Sequence, residues 1–186
     1  VIKMEIELTK TVRGKKLILR SAKKEDIKIL LQSLKDLNQE TKFLSSEPEE
    51  IKYTEEGELS FINALNSSEK SVMLLAFVDD RYIGNCMMKQ GSTLRSAHRA
   101  TIGIAIYQKY THQGFGEAML EALIEIATQA QLEQLELNVV SSNKPAISLY
   151  TKLGFKQYGC LPHQMKYRDG GYADDYVMIK FSKGND

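Results

Sequence analysis

The first third of the chain has hydrophobic residues that recur with the period of an α-helix. Five of them follow the spacing i, i+3, i+4, i+7 and i+10, namely Ile27, Leu30, Leu31, Leu34 and Leu37. This spacing buries one face of a helix, which we predict over residues 23–38. A strand at 16–20 precedes this helix and a second helix follows at about 53–66, whereas residues 1–15 are predicted to form an amino-terminal arm.

The rest of the chain alternates between strand and helix patterns. Two apolar runs at 71–78 and 82–88 flank the polar turn Asp79-Asp80-Arg81, which predicts a β-hairpin. The elements that follow are a strand at 100–106, a helix that begins near Gly116, a strand at 135–140, a short helix at 144–152, and strands at 155–159 and 176–181. This order predicts an α/β fold, with a mixed, mostly antiparallel central sheet of about six or seven strands flanked by four helices. We expect one domain spanning residues 1–186.

The composition excludes several classes of protein. A chain of 186 residues that is 42% hydrophobic and 26% charged is typical of a globular domain. Its 25 Lys and Arg residues balance 24 Asp and Glu residues, so no basic field indicates nucleic acid. Cys86 and Cys160 stand apart without paired histidines, which predicts reduced thiols and no metal site. Because no apolar run approaches the ~20 residues that span a bilayer and no signal peptide is apparent, we expect a cytoplasmic protein without a membrane partner.

A glycine motif, Gly114-Phe115-Gly116, joins the strand at 100–106 to the following helix. The first N–H groups of a helix have no internal partner, and together with the helix dipole they favour an anion such as a phosphate. Glycines let that backbone approach a ligand closely. A dinucleotide-binding motif would need a third glycine where Met119 stands, and no P-loop lysine follows. On this motif alone, a phosphate site and a turn without a ligand both stay open.

A second motif runs from Asn143 to Phe155, with the sequence NKPAISLYTKLGF. Together with the glycine motif it resembles the two signature motifs of the GNAT superfamily of acyl-CoA-dependent N-acetyltransferases. The detailed resemblance covers residues 98–181. It implies a V-shaped splay between the fourth and fifth predicted strands, where the pantetheine arm of acetyl-CoA would lie.

The resemblance also implies a set of cofactor-binding residues. These are Ile104, Ala105 and Ile106 in the strand, the loop and helix start at Thr111, His112, Gln113, Gly114, Phe115, Gly116 and Glu117, and then Asn143 and Tyr150. The family usually has Gln or Arg where this chain has Thr111, which offers a hydroxyl but no charge. Glu117 suits a helix amino terminus, yet its carboxylate would repel a phosphate unless it points to solvent. Asn143 also suits the cap of the helix that Pro145 opens.

Tyr150 is the catalytic residue that the resemblance implies, as the general acid that protonates the departing CoA thiolate. The ordinary pKa of a tyrosine, about 10, lies not far above the thiol value of about 8.5. The alternative is a buried structural tyrosine. The resemblance also implies that backbone amides of Ile104–Ile106 stabilise the oxyanion. For the base that accepts the proton of the amine, Glu136, His98 and a chain of water molecules are all candidates.

The acceptor pocket carries no clear motif. Tyr172 and Asp174 could hold a cationic amine through charge and ring contacts, or they could form an exposed hairpin end. Glu47, Glu49 and Glu50 could add to an acidic mouth or could solvate a loop.

The sequence therefore predicts an N-acetyltransferase that moves an acetyl group from acetyl-CoA to the primary amine of a small molecule or peptide. The amine would attack directly in a ternary complex, without metal or nucleic acid, and the protein could form a homodimer. The alternative is a catalytically silent acyl-CoA-binding sensor or scaffold of the same fold. Antibiotics, polyamines, amino acids and protein amino termini all stay open as acceptors.

Overall fold

The computed structural model describes residues 5–46 and 53–182. Within these ranges the chain forms eight β-strands and four α-helices. In chain order they are β1 (Glu7–Val12), β2 (Lys15–Ser21), α1 (Ile27–Glu40), α2 (Glu55–Asn66), β3 (Val72–Val78), β4 (Arg81–Gln90), β5 (Arg99–Ile106), α3 (Phe115–Gln129), β6 (Gln134–Val140), α4 (Lys144–Lys152), β7 (Lys156–Lys166) and β8 (Tyr172–Phe181).

All eight described strands form one sheet, in the order β1-β2-β3-β4-β5-β6-β8-β7. Neighbouring strands are antiparallel except for β5 and β6, which are parallel. β5 and β6 pair only where Arg99–Thr101 lie beside Gln134–Glu136. Beyond those residues the two strands no longer pair, which is the predicted V-shaped splay. The α/β class and the mostly antiparallel sheet are thus confirmed.

Helices cover both faces of the sheet, which explains why β3 is apolar at every position. Leu74 and Ala76 pack into the cluster that contains α3 and α4. Met73 and Leu75, on the opposite face, pack against α1 and α2. Because successive residues of a strand point to opposite faces, a strand buried on both faces loses its alternation. Among the described residues, no helix is both long enough and apolar enough to cross a membrane.

The amino-terminal arm predicted for residues 1–15 is wrong for residues 7–12, which form β1 at the edge of the sheet. The strand escapes sequence analysis because Lys10 occupies a position on the covered face. Its Nζ atom lies 3.2 Å from Oε1 of Glu125 in α3. Arg13 and Gly14, with φ values of 49° and 80°, form the two-residue turn from β1 to β2. Positive φ at both positions is typical of a type I′ hairpin turn.

The last two strands are longer than the sequence predicts. The segment 160–175, which separates the two predicted strands at 155–159 and 176–181, lies largely within the hairpin of β7 and β8. Nearly every residue of β7 is exposed, because this strand forms the other edge of the sheet. A strand without a buried face has no alternation of apolar and polar residues for sequence analysis to detect.

Candidate active site

The site begins where β5 separates from β6. Ile104, Ala105 and Ile106 pair with β4 on one side, but on the other side they lie beyond the last pair with β6, Thr101 and Glu136. An open strand edge can pair with an extended ligand that carries amide groups. The residues that the resemblance implies as pantetheine contacts thus line the splay.

The loop after β5 leads into α3 through a glycine whose backbone is in the left-handed conformation, which favours glycine over other residues. Gly114 is the N-cap of α3 with φ 89° and ψ −5°, and His112 also has a positive φ of 59°. A Cβ atom on Gly114 would lie 3.2 Å from Cγ1 of Val12, and one on Gly116 would lie 3.3 Å from Cδ1 of Ile106. These short distances mean that Gly114 and Gly116 leave a narrow space at the start of α3, which we call the cradle. The first backbone N–H groups of α3 lie there and have no partner within the helix. Backbone N–H groups in this position can bind an anion such as a diphosphate.

Polar side chains of the loop shape its backbone. The Thr111 hydroxyl donates a 2.8 Å hydrogen bond to the Gln108 carbonyl oxygen, and Nε2 of Gln113 donates one of 2.8 Å to the Lys109 carbonyl oxygen. These bonds hold the turn that precedes Gly114. The loop therefore offers mainly backbone amides to an anion.

Glu117 does not point freely to solvent. Its carboxylate lies 2.6 Å from Nζ of Lys152 in α4, and its side chain is 32% exposed. Gly116 packs beside the same helix, since its Cβ position lies 3.5 Å from Cδ2 of Leu149. Glu117 therefore joins α4 to the start of α3, and Lys152 offsets the negative charge that would oppose a phosphate.

Tyr150 lies in α4 immediately after Leu149 and is 8% exposed. Its ring packs edge to face with Phe155 at a centroid distance of 5.9 Å. The hydroxyl forms no hydrogen bond with another described residue. Burial raises the pKa of Tyr150 to about 12, so the phenol keeps its proton at neutral pH. Asn143 begins this helix, with its Oδ1 accepting a 3.3 Å bond from the Ala146 N–H.

The geometry does not support Glu136 as the base. Its carboxylate accepts bonds of 2.6 and 2.8 Å from Nη1 of Arg99 and one of 2.7 Å from Nε2 of Gln134. It also stands opposite Thr101, in the last pair before the strands separate. Both carboxylate oxygens of Glu136 thus already accept hydrogen bonds. Glu136 instead links β5 to β6 below the splay.

His98 is also poorly placed for the base. It is exposed and precedes the first residue of β5, whereas Ile104 lies six positions further along the chain. At a rise of about 3.3 Å per residue, these two residues are about 20 Å apart. His98 therefore lies at the end of β5 remote from the splay.

The predicted acceptor residues are engaged at the β7–β8 hairpin. The Tyr172 ring, 52% exposed, stacks on His163 at a centroid distance of 4.4 Å. The Asp174 carboxylate accepts a 2.8 Å bond from the His163 N–H. Asp174 also shares the strand face of Met178, which packs with α3 and α4. Glu47, Glu49 and Glu50 lie outside the described residues.

A cleft of about 830 Å³ opens on the other side of this hairpin. One wall of the cleft is the carboxyl-terminal end of α1 and the segment after it. The other wall is the end of β7 and the turn after it. The Tyr167 hydroxyl donates a 3.2 Å bond to the Lys42 carbonyl oxygen across it. Asn38 also lines the cleft, and its Oδ1 is buried without a hydrogen-bond partner among the described residues. A polar molecule in the cleft could satisfy this atom.

Sequence analysis missed Asp175, the neighbour of Asp174. It is 9% exposed, and its Oδ1 has no hydrogen-bond partner among the described residues. Burial, and then the charge of Asp174, raise the pKa of the Asp175 carboxyl group. The sequence contained a usable signal. If Met178 lies in the core, the two-residue period of a strand puts Asp174 on the same face as Met178 and Asp175 on the opposite face.

An open strand edge and a glycine-capped helix that begins after it can together hold a ligand that carries amide and phosphate groups. The chain matches the model of the acetyltransferase (GNAT) family over residues 31–155, and it belongs to that family. It is 34% identical over 129 residues to an N-alpha-acetyltransferase of Sulfurisphaera tokodaii, with 63% of this chain and 73% of the relative covered. It is 29% identical over 108 residues to the L-amino acid N-acetyltransferase AaaT of Escherichia coli, covering 58% of this chain and 66% of that enzyme.

A solved structure supports the same assignment. The crystal structure of a GNAT-family acetyltransferase from Streptococcus pneumoniae superposes with a TM-score of 0.85 and 30% identity. The match covers 89% of this chain and 99% of that one. The chain is therefore an acetyl-CoA-dependent acyltransferase with the GNAT fold.

Proposed function

We propose that this chain transfers the acetyl group of acetyl-CoA directly to a primary amine, with both substrates bound at once. The observation that carries this proposal is the continuity of the site. The splay of β5 and β6 leads to the Gly114 cradle at the start of α3, and Tyr150 follows Leu149, which contacts that cradle. Acetyl-CoA supplies a thioester whose carbonyl carbon accepts the amine.

The residues of the chain have separate roles in this proposal. Backbone N–H groups at Phe115–Glu117 hold the diphosphate, and the open edge of β5 pairs with the pantetheine amides. The backbone amides of Ile104–Ile106 donate to the carbonyl oxygen as it becomes negative. The protonated amine first loses one proton to water and then forms the C–N bond with the carbonyl carbon. As the C–S bond breaks, the nitrogen gives up a second proton, which passes through water to the CoA thiolate. The products are the acetylated amine, the CoA thiol and one proton.

The burial of Tyr150 limits how far its hydroxyl can transfer a proton to the sulfur of CoA. With a pKa of about 12, its hydroxyl is protonated and can donate a hydrogen bond to the departing sulfur. Complete transfer of that proton to a free thiolate with a pKa of about 8.5 would be uphill by about 5 kcal/mol. Tyr150 therefore stabilises the sulfur as the C–S bond breaks, and solvent returns any proton that it gives up.

For the acceptor, we propose the α-amine of an amino acid or of a peptide. The names of the relatives support this choice, since one acts on L-amino acids and the other is an N-alpha-acetyltransferase. The cleft between α1 and β7 is open enough to admit either. A cytoplasmic location, where acetyl-CoA and new polypeptides meet, belongs to the same proposal.

Two further properties belong to this proposal. Residues 1–186 act as a single N-acetyltransferase domain, because all described strands share one sheet. The exposed edge strand β7 carries Tyr158 and Leu161, which supports a homodimer through that edge. Sedimentation equilibrium gives the mass of the particle, and a monomer at all concentrations would contradict the dimer.

The proposal is tested by incubating the protein with radiolabelled acetyl-CoA and two panels of acceptors. One panel holds the free L-amino acids, and the other holds short peptides with different first residues. We expect label in at least one acceptor, with stoichiometric release of CoA thiol. If the protein binds acetyl-CoA in a calorimeter but labels no acceptor, it is the silent sensor rather than the enzyme.

A further inference from the structure

The tip of the β1–β2 hairpin lies against the loop that precedes α3. Nη1 of Arg13 donates a 3.3 Å hydrogen bond to the carbonyl oxygen of His112. Nζ of Lys15 lies 3.5 Å from Oε1 of Gln113. Nε of Arg13 lies 3.9 Å from the position that a Cβ on Gly114 would occupy. Two cations from a distant part of the sequence therefore border the cradle.

The strand geometry places these cations on the side of the sheet that α3 covers. Lys15 shares its strand face with Leu17 and Leu19, which pack in the cluster that contains α3. Lys16 points to the opposite face.

Charge pairing distinguishes Arg13 and Lys15 from their neighbours. Lys10, on the same face, forms an ion pair with Glu125 of α3. Arg13 and Lys15 contact only neutral oxygens among the described residues. The segment 111–116 itself contains neither lysine nor arginine. The hairpin thus brings two cations without carboxylate partners to the positive end of a helix, where an anion would be stabilised by both.

We propose that Arg13 and Lys15 bind the phosphate groups of acetyl-CoA, so that the β1–β2 hairpin supplies the positive charge that the segment 111–116 lacks. This inference rests on the proposed function. It assigns a binding role to two residues that precede the family match, which begins at residue 31. The guanidinium of Arg13 is suited to bidentate contact with a phosphate, and Lys15 adds a single charge.

The test measures binding, not activity, by isothermal titration calorimetry of Arg13→Gln, Lys15→Gln and the double variant. The ligands are CoA, 3′-dephospho-CoA and pantetheine, which has no phosphate. We expect each single change to raise the Kd of CoA about 3- to 10-fold, as for a partly exposed charged hydrogen bond. Lys16→Gln removes the same charge from the other face and should leave the Kd unchanged. Pantetheine affinity should not change in any variant.

Comparison of the ligands identifies the phosphate. If the loss persists with 3′-dephospho-CoA, the cations bind the diphosphate; if it disappears, they bind the 3′-phosphate. The inference is overturned if the double variant binds CoA within 1.5-fold of the wild type, or if Lys16→Gln weakens binding equally. Failure of the wild-type protein to bind CoA would instead overturn the proposed function itself.

A second inference rests on a different observation, the buried carboxylate of Asp175. This residue pairs with Val140, at the end of β6, and with Leu161 of β7. Directly opposed residues of an antiparallel pair point to the same face, so Asp175 shares the face of Val140, away from α3 and α4. Burial, and then the charge of Asp175, raise the pKa of Tyr167, which lines the cleft.

A carboxylate in this position is costly unless a donor reaches it. Asp175 is more than nine-tenths buried, and its Oδ1 accepts no bond from a described residue. An isolated buried charge is strongly disfavoured. An ammonium group carries three hydrogen-bond donors and a positive charge, so it can both donate to Oδ1 and offset the charge of the carboxylate.

We propose that Asp175 accepts a hydrogen bond from the ammonium group of the acceptor and thereby selects a cationic amine. This inference also rests on the proposed function. Asp175 is a specificity-determining residue in this account. The neighbouring Asp174 is not, because its side chain lies on the other face of β8 and its Oδ1 already accepts a bond from the His163 backbone N–H.

The test compares Asp175→Asn with Asp174→Asn on the amino acids and peptides of the two panels. For Asp175→Asn we expect the KM of the best acceptor to rise about 10-fold, the loss typical of a charged hydrogen bond. The KM of acetyl-CoA should stay within twofold, and the Tm should not fall, because a buried charge has been removed. Asp174→Asn should raise neither KM value, because removal of the Asp174 charge favours the ionised form of Asp175.

Two results would overturn this second inference. One is an unchanged acceptor KM in Asp175→Asn while the wild type transfers acetyl groups normally. The other is a lowered Tm with equal rises in both KM values, which would indicate a structural carboxylate. Absence of transfer by the wild type would contradict the proposed function and not Asp175 alone.

Discussion

Lys152 of α4 forms an ion pair with Glu117 in the first turn of α3, with 2.6 Å between Nζ and Oε1. The pair joins the helix that carries Tyr150 to the helix that begins at the Gly114 cradle. It also offsets a negative charge at the place where a diphosphate would bind. The two residues therefore connect the position of the tyrosine with the electrostatics of the cradle.

Breaking this pair should weaken the binding of CoA through charge. In Lys152→Gln the Glu117 carboxylate stays beside the cradle without its partner, and we expect the Kd of CoA to rise about threefold at low salt. Calorimetry at two ionic strengths checks the effect, which should shrink as salt is added. The double variant with Glu117→Gln serves as the control and should return the Kd to within 1.5-fold of the wild type. A double variant as weak as Lys152→Gln alone would contradict the explanation.

Gly114→Ala should weaken the binding of CoA in addition to lowering the free energy of unfolding. An alanine at positive φ costs about 1 kcal/mol of stability, and its Cβ would lie 3.2 Å from Val12. We expect the loop to shift and the Kd of CoA to rise about 10-fold. Gly170→Ala is a matched control, because Gly170 has φ 88° but no atom within 4 Å of the Cβ position. It should lose similar stability with no change in Kd; equal losses of affinity in both would count against the cradle.

Glu136→Gln should affect stability rather than chemistry. The bonds from Arg99 hold β5 against β6, and we expect their weakening to lower the free energy of unfolding by about 1 kcal/mol. The dependence of kcat on pH should stay the same. A 100-fold fall of kcat without loss of stability would restore Glu136 as the base.

The buried Glu58 of α2 makes stability depend on pH. Burial raises the pKa of the Glu58 carboxyl group, so the folded state holds its proton more tightly than the unfolded chain does. Its stabilising contribution is complete below the unfolded value of about 4.3 and is lost as pH rises through the folded value. Glu58→Gln should therefore raise the Tm at pH 7, with a gain that disappears near pH 4. Thermal unfolding across this range would contradict the argument if the gain were constant.

Tyr150→Phe should separate binding from turnover. The change removes the donor to the sulfur and leaves the ring packed on Phe155, so we expect kcat to fall about 100-fold. The Kd of CoA should stay within twofold, because the diphosphate contacts lie on α3. Stopped-flow measurement of thiol release gives the rate. Normal turnover in this variant would leave Tyr150 as a structural residue.

The sequence predicted the parts of the fold that follow a strong local pattern. The leucine spacing predicted α1, the order of the elements predicted the α/β class, and the resemblance carried by the two motifs around Gly114 and Tyr150 implied the splay. β1 could not be predicted because Lys10 interrupts its apolar face, and its partner, Glu125, is distant along the chain. The part of β7 beyond residue 159 could not be predicted because nearly all of its residues are exposed.

The polar residues of the site were harder to predict than its backbone. Glu136 had the right residue type, but its partner, Arg99, becomes a neighbour only through the pairing of β5 with β6. The choice between Asp174 and Asp175 depended on which face of β8 carries Met178. Arg13 and Lys15 reach the cradle only because β1 and β2 form a hairpin at the edge of the sheet.

The most direct test of the whole account is a crystal structure of the protein soaked with acetyl-CoA. The account predicts the diphosphate on the N–H groups at the start of α3, the pantetheine along the open edge of β5, and the sulfur facing the Tyr150 hydroxyl. Arg13 or Lys15 should contact a phosphate oxygen. Density for acetyl-CoA elsewhere, or a splay filled by side chains at saturating ligand, would contradict it.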